Sequence, residues 1–308
     1  MQANRAPAGI LAVIAGVAIF SVQDVILKGL SDRYPLSEAM TIRSLVAMPL
    51  ILVIVRLSDG TLGRLFTPGT GWMILRGLLN FLAYTAYYLG LAVLPLATTT
   101  ALFFAAPLFI SLLAPRLLGE PAVPAASAAV AAGFVGVLLI AQPGQGGLGL
   151  AAVLPVLGAL GYALTMIAAR PLGRTETAAA MAFWGNFGFL VCALILSAIF
   201  GHGRWAATAP EALRFLMLPW IWPQPLDFLA MAVCGAIAAA ALTLLTQAYR
   251  VAPAALVAPF EYSFMFWALL WGWLFWGDLP DPLAWLGIAV IIGAGLHLLR
   301  AEARATAG

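Results

Sequence analysis

The chain has 308 residues, of which 64% are apolar and only 9% charged, and a formal net charge of +3. An ordinary soluble domain carries roughly 25% charged residues, so packing in water does not explain this composition, whereas a chain surrounded by hydrocarbon can be apolar on its outside as well. Its 15 Lys and Arg lie singly between apolar stretches and form no patch, which excludes a nucleic-acid partner as the reason for the positive charge.

Ten segments of about 20 predominantly apolar residues follow in chain order, at 8–28, 36–56, 71–93, 96–117, 124–141, 149–169, 177–200, 226–249, 253–276 and 283–299. The first is longer than the core of a signal peptide and contains Gln23 and Asp24, so it reads as a retained span. Leu94-Pro95-Leu96 and Val251-Ala252-Pro253 are such short turns that spans three and four, and spans eight and nine, must be antiparallel neighbours. TPGTG at 67–71, QPGQGGLG at 142–149 and GDLPDP at 277–282 carry turn chemistry. The one long connection, 201–225, contains ALRFLMLPWIWP and predicts an interfacial helix. Cys192 and Cys234 fall inside apolar segments, and His202 and His297 lack ligand spacing. No disulfide framework, metal site or cofactor is indicated.

The stretch from Ala92 to Glu120 returns in altered form from Ala252 to Asp278. A shift of 158 places Pro95 on Pro253, Leu112 on Leu270, Gly119 on Gly277, Glu120 on Asp278 and Pro124 on Pro282. A weak internal match of this kind in a hydrophobic chain marks a duplicated transporter. A unit of five spans is odd, so its second copy enters the membrane from the opposite side. The expected fold is therefore an all-α integral membrane protein, with ten transmembrane helices forming two inverted five-helix repeats, 1–145 and 146–308, around a central cavity in one membrane domain. Outside the spans, Arg5, Arg56, Arg64, Arg116, Arg170, Arg174, Arg250, Arg300 and Arg304 fall on one side, and Lys28, Arg33, Arg204 and Arg214 on the other. The positive-inside rule then places both termini in the cytoplasm.

The segments RGLLNFLAYTAYYLGLAVLPLATTTALFFAAPLFISLLAPRLLGE, 76–120, and AYRVAPAALVAPFEYSFMFWALLWGWLFWGD, 248–278, resemble the drug/metabolite transporter superfamily, EamA type. Within it the chain is similar to bacterial inner-membrane exporters of amino acids, including aromatic ones. The resemblance implies a basket of ten helices whose cavity is lined by spans one to four and six to nine, with spans five and ten at the periphery. Span five has the small residues of a close helix contact, including Gly133 and Gly136.

An ionisable group in the apolar core costs ~2.5 to 3.5 kcal/mol on insertion scales and turns toward a cavity or a partner. Glu261 is the deepest, ~12 Å along span nine at 1.5 Å per residue. It can attract a substrate ammonium or carry a coupling proton; the alternative is a carboxylate hydrogen-bonded for packing. Its counterpart in the first copy is Phe103, so the repeat itself does not require it. Asp24 and Arg43 enter spans one and two from the same side to similar depth, and the economical arrangement is a structural or gating ion pair. Arg76 is close enough to the inner end of span three to snorkel.

Asn80, Tyr84 and Tyr87 share a face of span three, Thr99 and Phe103 one of span four, and Thr243 and Gln247 one of span eight. These faces should point inward, where they bind substrate or another helix. Tyr162 and Trp184 are candidates to enclose a ring. Pro107 and Pro259 each remove a helical hydrogen bond and are either hinges or tolerated kinks.

The expected activity is secondary transport of a small organic metabolite across the bacterial inner membrane by alternating access. An amino acid with room for an aromatic side chain comes first, and uptake or exchange of a nucleotide-like or vitamin-like metabolite is the alternative. The expected partners are that substrate, membrane lipid and a proton as a candidate coupling ion. No HExxH or Walker-type motif is present, so an enzyme is not expected.

Overall fold

The structure, a computed structural model, describes residues 6–119, 124–142, 149–173, 175–251 and 258–307. The described residues form twelve α-helices: α1 (Ala6–Leu30), α2 (Leu36–Asp59), α3 (Thr70–Val93), α4 (Leu96–Phe103), α5 (Ala106–Leu118), α6 (Pro124–Ala141), α7 (Gly149–Leu172), α8 (Ala178–Phe200), α9 (Glu211–Met217), α10 (Pro225–Val251), α11 (Ser263–Trp276) and α12 (Pro282–Ala307). Two short 3₁₀ turns, Leu62–Leu65 and Ala258–Tyr262, complete the regular structure.

Five stretches are helical, long and apolar enough to cross a bilayer: Pro7–Leu30, Leu36–Asp59, Leu96–Leu118, Ala151–Ala169 and Ala179–Phe200. Ala131–Ile140, Pro225–Ala241 and Pro282–His297 are shorter apolar helices. The expected ten spans are not all reproduced on this criterion, for identifiable reasons. In α3, Arg76, Asn80 and the tyrosines at 84, 87 and 88 dilute the apolar content, and α11 has only 14 residues.

Two expected spans are interrupted. Span four divides into α4 and α5 at Phe104 and Ala105. Pro107 has no amide hydrogen for the Phe103 carbonyl, and the Phe104 and Ala105 amides tighten into 3₁₀-type bonds to Ala101 and Leu102, each 3.2 Å. Span nine, expected as one helix over 253–276, instead begins its α-helix at Ser263 after the 3₁₀ turn. Residues 252–257, including Pro253, lie outside the described residues, as does Glu120. Moving the first break by the repeat offset of 158 lands on 262 and 263, where the second occurs.

The packing is regular. α3 lies on α7 and α8, α10 lies on α1 and α2, and α2 meets α8, α4 meets α11 and α6 meets α12. Small residues permit the closest approaches. A Cβ on Gly136 would sit 2.8 Å from the Gly287 carbonyl oxygen, and one on Gly287 would sit 2.6 Å from that of Gly136. The close contact expected on α6 is therefore made with α12 at Gly136, whereas Gly133 faces Leu108 of α5. Outward faces are apolar, with Leu57, Trp72, Leu82, Leu229 and Phe266 exposed, as suits a lipid surround. The segment expected to hold an interfacial helix contains α9, which buries Ala212 and Phe215 against the bundle end while Trp222 stays 90% exposed.

Candidate functional site

A cluster of rings occupies the middle of the bundle. Tyr84 on α3 lies 6.4 Å, centroid to centroid, from both Phe103 on α4 and Tyr162 on α7, and 6.0 Å from Phe189 on α8. Phe103 and Tyr162 are 5.4 Å apart, and Tyr87 packs 5.0 Å from Phe103. The i, i+3 and i+4 spacing of Tyr84, Tyr87 and Tyr88 on α3 carries three phenols into this space. Phe103 is presented at the end of α4, where the helix breaks. Tilted and edge-on rings at these distances are in the favoured range for aromatic contacts.

Charged groups frame the rings. The Tyr87 hydroxyl donates to Asp24 Oδ2 at 2.6 Å, and Tyr88 also bonds the carboxylate. Gln23 Nε2 donates to the Tyr88 hydroxyl at 2.6 Å, while Gln23 Oε1 accepts from Arg43 Nε at 3.0 Å. The guanidinium lies over the Phe189 ring, 5.4 Å from its centroid. The expected Asp24–Arg43 ion pair is therefore corrected: Arg43 bonds Gln23, whose amide bonds Tyr88, and the guanidinium acts on Asp24 only through space. Arg76 does not snorkel outward; it donates from Nε to the Thr165 carbonyl at 3.3 Å, within electrostatic reach of Tyr84 and Tyr162. Glu261, in the 3₁₀ turn before α11, exerts its charge on the same two phenols. At the second break, the hydroxyls of Tyr262 and Ser263 are buried without a hydrogen-bond partner.

The remaining candidates are placed differently. Thr99 is buried and bonds back to the Pro95 carbonyl at 3.1 Å, so its hydroxyl serves its own helix; its neighbour Thr100 faces Tyr87 at 3.5 Å. Trp184 is removed from the ring cluster: its indole donates to the Leu65 carbonyl at 2.7 Å and its ring meets Phe66, Phe183 and Phe187. Asn80 is half-buried one turn below Tyr84. The side chains of Thr243, Gln247, Pro107 and Pro259 lie outside the described residues.

Two polar latches lie at opposite ends of α2. At its N-terminal end, Asp227 accepts from Tyr34 at 2.7 Å and from Arg33 at 3.3 Å, and Glu38 accepts from the Ile221 amide at 3.3 Å. At its C-terminal end, Thr177 donates to Asp59 and Thr67 to Glu176, each at 2.7 Å. Lys28 folds onto the carbonyls of Leu91 and Leu94 and under the Trp276 ring. Gln23, Tyr88, Tyr34, Asp227 and Glu176 were not singled out from sequence, because an amide, phenol or carboxylate near a helix end carries no spacing signal of its own.

Residues 7–142 match the EamA-like transporter family. The chain is also 32% identical to a riboflavin transporter of Rhizobium johnstonii over 305 residues, covering 99% of this chain and 95% of that protein. The chain belongs to the EamA-like family. Other relatives are a pseudopaline exporter of Pseudomonas aeruginosa, 25% identical across 96% of both chains, and an S-adenosylmethionine uptake transporter of Rickettsia prowazekii, 25% identical across 96% of this chain and 93% of that one. A solved crystal structure, 18% identical, shares the fold with a TM-score of 0.64 over 96% of this chain and 98% of its own. This EamA-like protein is accordingly a multi-pass membrane transporter of small metabolites.

Proposed function

We propose that the protein carries a small metabolite bearing a flat heteroaromatic ring, vitamin-like or nucleotide-like, across the bacterial inner membrane. The observation that carries this reading is the ring lining of Tyr84, Phe103 and Tyr162 with Glu261 and Arg76 in electrostatic reach. Aromatic faces hold the ring system, and charges of both signs meet polar substituents. The relatives named for riboflavin and S-adenosylmethionine support a substrate of this chemistry. Export of an aromatic amino acid is the second reading, favoured by a carboxylate, Glu261, beside phenols where an ammonium and a ring would sit together.

The proposed mechanism is alternating access between two inverted five-helix halves, 1–145 and 146–308, spanning the membrane ten times with both termini cytoplasmic. Equating α1, α2 and α3 with α7, α8 and α10 turns the α3–α7 contact into α10–α1 and the α3–α8 contact into α10–α2, both of which occur. The latches support the inversion. The loop after α1 docks on the start of α10, and the loop after α7 docks on the turn before α3, at the other end of α2. Thr243 and Gln247 belong to this proposal as further lining residues, and Pro107 and Pro259 as the origins of the breaks.

Counterflow of labelled riboflavin in proteoliposomes tests the reading, with S-adenosylmethionine, phenylalanine and tryptophan as competitors. Saturable exchange inhibited by heteroaromatic compounds is expected. Exchange driven only by the amino acids would transfer the assignment to the second reading, and non-saturating flux would replace the carrier by a channel.

A further inference from the structure

We propose that Asp24 is a proton-binding site coupled to transport, in which the arriving proton releases the Tyr87 hydroxyl from α1 toward α4. The inference rests on the reading of the protein as a secondary carrier and is independent of which metabolite it carries. Asp24 is 5% exposed and sits on α1 beside Gln23, facing the Tyr87 hydroxyl. A buried carboxylate locked onto a guanidinium would hold its charge permanently, but here Arg43 is engaged by Gln23 and reaches Asp24 only through space. Burial opposes the charge, while two phenols and the distant Arg43 support it. A carboxylate balanced in this way can exchange a proton.

Among the described residues the groups facing it come from three helices, while the 3₁₀ turn that carries Glu261 and Tyr262 also packs on α1. From α3 come Tyr84, Tyr87 and Tyr88, from α2 Arg43, and from α10 Cys234. Lys28, one turn further along α1, is occupied by the Leu91 and Leu94 carbonyls. Among the described residues α11 presents no titratable side chain here; its Trp271 bonds Ser21 at 2.8 Å. Among these side chains Arg43 carries the charge opposite to that of Asp24, and it acts on the carboxylate through space.

The step balances simply. A proton bonds to a carboxylate oxygen, and the new hydroxyl donates to the Tyr87 oxygen where it formerly accepted. The Tyr87 O–H is freed and finds Thr100 Oγ1, already 3.5 Å away on α4. Thr100 lies one turn before Phe103, whose ring packs 5.0 Å from Tyr87 and lines the candidate site. Proton occupancy thereby pulls on the helix that ends at the break.

Infrared difference spectroscopy of the full-length protein in lipid reads the carboxylic-acid C=O stretch without any substrate. A band that disappears on alkaline titration and is missing from Asp24→Asn is expected. Tyr87→Phe removes a donor to the anion and should move the midpoint upward by about one pH unit, whereas Glu261→Gln should keep the band. A wild-type spectrum with no titrating acid band, or a band that survives Asp24→Asn, overturns the proposal; so does an unmoved midpoint in Tyr87→Phe. Because no metabolite is present, a negative riboflavin counterflow result would remove the substrate reading alone.

Discussion

Asp281 shows how much a single side chain fixes at a helix start. Its Oδ1 accepts from the Ala284 amide at 2.8 Å, capping α12, and Oδ2 accepts from Gln142 at 2.9 Å, tying α6 to it. The Ala284 amide, with Gln142 in support, holds this exposed carboxyl below the usual carboxylate range. Its contribution is thus present above about pH 4 and fades as the pH falls through the lowered folded value. Asp281→Ala should cost about 1 kcal/mol and Asp281→Asn much less, since Asn caps comparably; thermal unfolding in detergent measures both. Within the site, Glu261→Gln should impair counterflow with expression intact, and unchanged flux in that variant would place the carboxylate outside the mechanism. Sequence exposed Asp24, Arg43 and Glu261 because charge inside an apolar run is conspicuous. It did not expose the role of Gln23, whose amide links Arg43 to Tyr88, because a glutamine beside an aspartate carries no sign of which helix it will bond.

At the scale of elements, spacing located most helices closely: 36–56 became Leu36–Asp59, 71–93 became Thr70–Val93, and 124–141 became Pro124–Ala141. What stayed hidden were the interruptions. Pro107 and Pro259 announced a missing hydrogen bond, but a kinked continuous helix and a broken one differ by where two or three amides turn, which depends on the surrounding packing. Trp184 illustrates the same limit, since its indole is claimed by the Leu65 carbonyl of a 3₁₀ turn that has no periodic signature. The α6–α12 contact was half legible: glycines marked a close approach without naming its partner. Gly136→Val should destabilise the protein by roughly 1–3 kcal/mol, since its side chain would enter the space of the Gly287 carbonyl. Because this pair stands apart from the ring cluster, the loss should appear in thermal unfolding more than in substrate affinity, and an unchanged melting temperature would mean that the two helices separate easily.

Across the whole molecule, the proposed inverted duplication would account for a ring cluster and two latches occurring together. A single site between two halves of opposite sense can be offered to each compartment by opening one latch while the other holds, and helix ends facing that site come from the paired breaks. Reversible cross-links test this most directly, one joining Tyr34→Cys to Asp227→Cys and another joining Thr67→Cys to Glu176→Cys, each with Asn80→Cys as a reporter for membrane-impermeant maleimide. The account predicts that locking the first latch leaves the reporter reactive from one face only, that locking the second leaves it reactive only from the other, and that reduction restores both. Reactivity from the same face under either lock would contradict it.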